Sequence, residues 1–192
     1  MVAARDLARA EVSEPSSSTK TVPGMRQIVG GESDVCFRGS TDWKSPDDFE
    51  AACRLNQVTY FAFNTNFRTQ ALALAARLAK DGWSADDGNS ISSIVHDYFD
   101  AEAGKPNPDE GGRAYGAADL PGVLLNKGDV TAWVAFAQRP TQNPDIGGYS
   151  RGDEESYYLV DTLPATNDSF AQAFKAGKYV VVLIVEKEYQ RI

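Results

Sequence analysis

Cationic residues, sulfur and histidine are all in short supply in this chain, and each shortage removes a class of function. Of 192 residues, 19 are Lys or Arg against 27 Asp or Glu, a formal charge of -8. Nonspecific nucleic-acid binding needs a basic face to displace counterions, so no direct nucleic-acid binding is expected. The chain holds one histidine, His96, and two cysteines, Cys36 and Cys53. Three such residues, widely separated, cannot fill a zinc site alone. No glycine pair is followed by the lysine and hydroxyl of a phosphate-binding loop, so neither metal nor cofactor is expected. The longest apolar run, Tyr179 to Val185, is far short of the roughly 20 residues that span a bilayer. No charged segment leading into an apolar one opens the chain, which argues against a membrane role and a classical secretion signal. Two cysteines without a signal point to a reducing compartment, so the expected location is cytoplasmic or particle-associated.

What is present is an ordinary globular composition, with hydrophobic residues at 42% and charged residues at 24%,. A folded part of about 170 residues buries roughly 70% of its unfolded surface, enough to fold without staples. Residues 1–24 read as a flexible N-terminal arm. Ala3 to Val12 has the content for one short helix with Leu7 and Ala10 on one side, marginal alone in water. Ser13 to Pro23 has almost no apolar residues and should be disordered until it meets a partner. Residues 25–192 read as a single α+β domain.

Within that domain, Gln27-Ile28-Val29 and Asp34 to Phe37 flank Gly30-Gly31 in the manner of a small hairpin,. Ser45-Pro46-Asp47-Asp48 carries a cap, a proline for the first helical position and first-turn carboxylates. It predicts a helix that ends at Asn56, with Phe49, Ala52 and Cys53 on its inner face. Val58 to Phe63 reads as a strand. Arg68 to Lys80 reads as a helix with Ala71, Leu74, Ala75 and Leu78 inward and Gly82 as its stop. A third helix is expected over Ser90 to Phe99, with His96 on its flank beside Ser92 and Asp100. Val123 to Leu125 and Val130 to Ala137 form a hairpin about Asn126 to Asp129, the second strand apolar on both faces and hence central. A strand at Tyr157 to Val160, a short helix from Ser169 to Ala176 and a strand from Lys178 to Glu188 complete the reading. The fold class is therefore α+β: a mixed, largely antiparallel sheet with three or four helices on one face. Two long Gly- and Pro-rich loops, 103–122 and 139–155, stand between these elements.

Candidate chemistry is thin. Cys36 and His96 are the two residue types of a thiol nucleophile and its base. Asp86-Asp87-Gly88-Asn89 has calcium-like residues without the ligand alternation of a calcium loop, and a capping turn explains it. Arg38 ends an early strand, Thr65 follows a strand in mid-chain, and Glu186 and Glu188 share one face of the last strand. An arginine for a pyrophosphate, a hydroxyl and paired glutamates for a ribose resemble the mono-ADP-ribosyltransferase arrangement. That resemblance implies a nucleotide-dependent transferase using Arg38 with Glu186 or Glu188. Its pattern departs from the family where only four residues follow Glu188 and where Asn64-Thr65-Asn66 replaces a run of hydroxyls. Glu154 and Glu155 are adjacent and would point to opposite faces of a strand.

Loop aromatics carry the remaining signal. Trp43, Trp83, Tyr115 and Tyr149 fall in or beside loops, where such residues anchor protein interfaces. With an arm, long loops and an acidic surface, the sequence reads as a non-enzymatic interaction or assembly component, for instance a structural subunit of a particle such as a virion. Its expected partner is another protein or a second copy. An acidic inhibitor of another protein, using carboxylates such as Asp47, Asp48 and Glu50, is a further reading.

Overall fold

A computed structural model describes residues 2–39, 41, 47–85, 90–102, 122–138, 156–161 and 167–191. Its elements in chain order are α1 (Val2–Lys20), β1 (Arg26–Arg38), β2 (Ala51–Phe63), α2 (Phe67–Lys80), α3 (Ile91–Glu102), β3 (Val123–Lys127), β4 (Val130–Gln138), β5 (Ser156–Asp161), α4 (Asn167–Ala176) and β6 (Tyr179–Arg191). One six-stranded sheet runs in the order β3-β4-β6-β2-β1-β5. Every pairing within it is antiparallel. This is the α+β class that the element pattern implies.

The sheet has an apolar cluster on each face because β6 is hydrophobic at successive positions, and successive side chains point to opposite sides. Val181, Leu183 and Val185 enter one cluster with Ala8 and Val12 of α1, Phe67, Ala71, Leu74 and Leu78 of α2, and Ile91, Ile94 and Val95 of α3. Val180, Val182 and Ile184 enter the other with Val58, Tyr60, Ala135 and Ala173 of α4. Three helices therefore cover one face, as expected, and the fourth packs on the opposite one.

Local signals hold where no long-range pairing competes. The Asn66 side chain accepts from the Thr69 N–H at 3.0 Å to cap α2,. Gly82 follows the helix at φ 91, a left-handed position that suits glycine. In the β3–β4 hairpin, Lys127 pairs with Val130 and Gly128 takes φ 60. Glycine in the first of two central positions is the pattern of a type II′ turn.

Three expectations are corrected. The Gly30-Gly31 hairpin is absent: β1 is continuous through both glycines and pairs with β2 from Arg26 to Arg38. Neither glycine has positive φ. A Cβ on Gly30 would stand 3.3 Å from the Val58 carbonyl oxygen, so this glycine serves close approach. The helix expected to run from Ser45 to Asn56 is a strand from Ala51 onward. Pairing of β2 with both β1 and β6 outweighs a capping signal worth about 1 kcal/mol. Ser45 and Pro46 lie outside the described residues. The flexible tail is replaced by α1, whose buried side carries Ala8 and Val12, while Leu7 is 59% exposed.

Candidate interaction surface

Cys36 and Cys53 face each other across β1 and β2 and form a disulfide with Cα atoms 4.0 Å apart. Cys36 is thus no thiol nucleophile, and the described residues hold no free cysteine. His96 is exposed on α3, and its Nδ1 lies 3.0 Å from a guanidinium nitrogen of Arg68.

The sheet side of α1 is a strip of matched polar groups. Arg5 pairs with Asp34, whose side chain is fully buried, and the Tyr189 hydroxyl donates to the same carboxylate at 2.8 Å. Burial and that carboxylate together push the Tyr189 phenol up to about 12. Arg9 donates to Glu32 at 2.9 and 2.7 Å. Glu11 pairs with Lys187, which also reaches Asp129 at 2.9 Å. Glu14 pairs with Lys127. Ser16 donates to Thr59 Oγ1 at 2.9 Å and to the Gln57 side-chain oxygen Oε1 at 3.1 Å, and Ser18 donates to Asp81. The Ser18 hydroxyl and Arg77 hold the Asp81 carboxyl below its ordinary value. Lys187 does the same for Asp129. A cavity of about 310 Å³ lies under the second half of α1, lined by residues including Ser13, Ser17, Lys20, Gln27 and Gln57.

On the opposite face, beyond the reach of α4, the sheet ends in arginines and phenylalanines. Phe37 and Phe49 meet edge to face at 5.7 Å. The Arg54 guanidinium sits 5.0 Å above the Phe37 ring and that of Arg191 sits 4.8 Å above the Phe49 ring. Carboxylates rim the cluster: Glu186 lies 3.2 Å and Glu188 4.0 Å from Arg54, while Arg191 pairs with Glu188 at 2.8 Å and Asp48 at 3.0 Å. Burial pushes the Glu186 carboxyl up, opposed by Arg54 and reinforced by Glu188. Leu124 on β3 is 47% exposed.

Of the residues singled out for chemistry, Glu186 and Glu188 do share a face, but the arginine between them is Arg54. Arg38 pairs with Ala51, and alternation along β1 puts it on the side of Cys36. Thr65 donates to Gln70 at 3.1 Å beside the start of α2. Trp83 is a core residue at 4% exposure and lines an apolar groove of about 350 Å³ with Leu72, Ala75 and Leu125. Asp47, Asp48 and Glu50 are exposed. Trp43, Tyr115, Tyr149, Glu154, Glu155, residues 86–89 and both long loops (103–121 and 139–155) lie outside the described residues. Sequence reasoning missed the Phe37–Arg54 and Phe49–Arg191 pairs because a helix was assigned across Phe49 and Arg54. Reading 51–63 as a strand would have placed Arg54 beside Glu186 and Glu188. Comparison of the chain with models of protein families, with curated proteins and with solved structures finds no match to any of them.

Proposed function

We propose that this chain is a non-enzymatic interaction or assembly component, such as a structural subunit of a larger particle like a virion. The observation that carries this reading is the cluster of half-buried Phe37 and Phe49 with Arg54 and Arg191 at one end of the sheet. Aromatic and arginine side chains dominate the energetic centres of protein interfaces, and a polar rim normally surrounds them. Here Glu186, Glu188 and Asp48 form such a rim. The Cys36–Cys53 disulfide supports a particle outside the reducing cytosol over a cytoplasmic location.

Substitution Phe49→Ala tests it. At an interface centre the change costs about 2 kcal/mol, a weakening of roughly 30-fold. Self-association or capture of a partner should fall by that order while the circular dichroism spectrum stays the same. Unchanged association would remove the basis of the reading. The inhibitor alternative rests on the exposed carboxylates Asp47, Asp48 and Glu50 beside this cluster, and requires binding that weakens steeply with salt. The transferase alternative, with Arg38 acting beside Glu186 or Glu188, loses support because Arg38 lies on the Cys36 side of the sheet,. It requires NAD binding that is lost in Arg38→Ala.

A further inference from the structure

We infer that α1 is an exchangeable arm whose second docking place is the same sheet face of another copy of this chain. The inference rests on the assembly reading above and adds a second contact, on the sheet face opposite the Phe37–Phe49 cluster.

The first observation is that α1 has little helical preference of its own. Its second half is Ser13-Glu14-Pro15-Ser16-Ser17-Ser18-Thr19-Lys20, with Pro15 inside the helix. Proline removes a backbone donor and clashes with the preceding turn. The hydroxyls of Ser13, Ser17 and Thr19 all fold back onto carbonyls four residues earlier, a habit that does not favour helix interiors. Detached from a sheet this segment is an unstructured polar arm.

A second observation concerns what holds it. The apolar residues that α1 buries are Ala8, Val12 and Pro15, with Ser16, Ser18 and Thr19 buried beside them. That is a small apolar area for a 19-residue helix when each ordered residue costs roughly 1–2 kcal/mol of backbone entropy. The remainder is a coded strip. Reading along the helix, the partners of Arg5, Arg9, Glu11, Glu14, Ser16 and Ser18 are Asp34, Glu32, Lys187, Lys127, Thr59 and Asp81. Two cations meet two carboxylates, then two carboxylates meet two lysines, so the strip accepts the arm in one direction and one register. Every copy of the chain presents both halves of this code, which makes a second copy the partner that the chemistry recognises.

The third observation is the joint. Residues 21–25 connect α1 to β1, with Pro23 restricting the chain and Gly24 at φ 86. Val22 and Met25 of this turn are buried in the core and Gln70 donates to the Pro23 carbonyl, so exchange has to open the turn and re-seat these side chains. Beside the arm lies a polar cavity of about 310 Å³, lined in part by Gln57 and Thr59.

The test places cysteines at the Ser16–Thr59 contact in the full-length protein, leaving Cys36 and Cys53 in place. The double variant Ser16→Cys with Thr59→Cys, oxidised at high dilution, locks the arm onto its own sheet. Separately, Ser16→Cys protein is mixed with Thr59→Cys protein of different tag length, so that only a cross-copy contact yields a disulfide-linked heterodimer. The inference predicts a wild-type oligomer by light scattering, a locked variant of monomer mass, and the heterodimer on a non-reducing gel. A wild-type oligomer that survives locking, with no heterodimer, overturns arm exchange and leaves the assembly reading standing. A wild-type monomer with no heterodimer overturns arm exchange and self-assembly together.

Discussion

Asp34 shows how a single residue can organise a surface. A fully buried carboxylate is costly unless its charge is met, and here Arg5 and the Tyr189 hydroxyl meet it,. Replacing Asp34 with alanine removes the partner of the Tyr189 hydroxyl and of Arg5, which is itself 33% exposed. Urea unfolding should show a loss of about 1–3 kcal/mol, the scale of orphaning a buried hydrogen-bonding group. Tyrosine titration gives a second residue-level prediction. Burial raises Tyr60 to about 12, and burial with Asp34 raises Tyr189 to about 12, each from 10.0. A folded pKa above the unfolded one means that the folded state holds its proton more tightly. That stability is complete below pH 10 and is lost as pH climbs from about 10 towards 12. The melting temperature should therefore fall steeply over that window, with phenolate absorbance from these two residues appearing together with unfolding.

At the scale of elements, α1 and the α4–β6 junction make separate demands. Asp81 and Asp129 have depressed values, so their contribution exists above the ordinary carboxylate range and is lost as pH falls through and below it. Asp81 holds Ser18, and Asp129 supports the lysine that grips Glu11. Acidification should accordingly release α1 ahead of the sheet, seen as amide exchange rising in residues 2–20 before β2 and β6. Gly177 limits the other end. A Cβ there would stand 2.8 and 2.9 Å from the Phe63 backbone N and O, which forces α4 off the sheet. Gly177→Ala should cost about 1–3 kcal/mol in chemical unfolding, the range for overpacking. These elements also mark what the sequence makes legible. Asn66, Gly82 and Gly128 act within a few residues of themselves, so α2 and the β3–β4 hairpin could be read locally. The strand character of 51–56 arises from β1 and β6, which lie far away along the chain. The first half of α1 is legible locally, as the short helix over Ala3 to Val12. Its continuation through Ser13 to Lys20 is legible only through partners such as Lys127, Thr59 and Asp81, none of which is near it in sequence.

For the whole molecule, the same distance rule explains why the fold class was readable and the candidate surface was not. Fold class follows from the succession of elements. The arginine–phenylalanine cluster instead requires the ends of β1, β2 and β6 to be brought side by side, with Phe49 folded against them. The disulfide joins two of those strands across a separation of 17 residues. Closing such a loop is worth about 3 kcal/mol in the chain-entropy account, and in a chain of this size each kcal/mol shifts the midpoint by about 2–4 °C. Dithiothreitol should therefore lower the melting temperature by roughly 6–12 °C in differential scanning fluorimetry; an unmoved midpoint would show that the strands do not need the link. The central claim is that this protein works by contact with protein. It is tested most directly by the solution mass of the full-length chain, measured by size exclusion with light scattering over a concentration series. A defined oligomer at micromolar concentration is the predicted result, and a monomer at every concentration would contradict self-assembly.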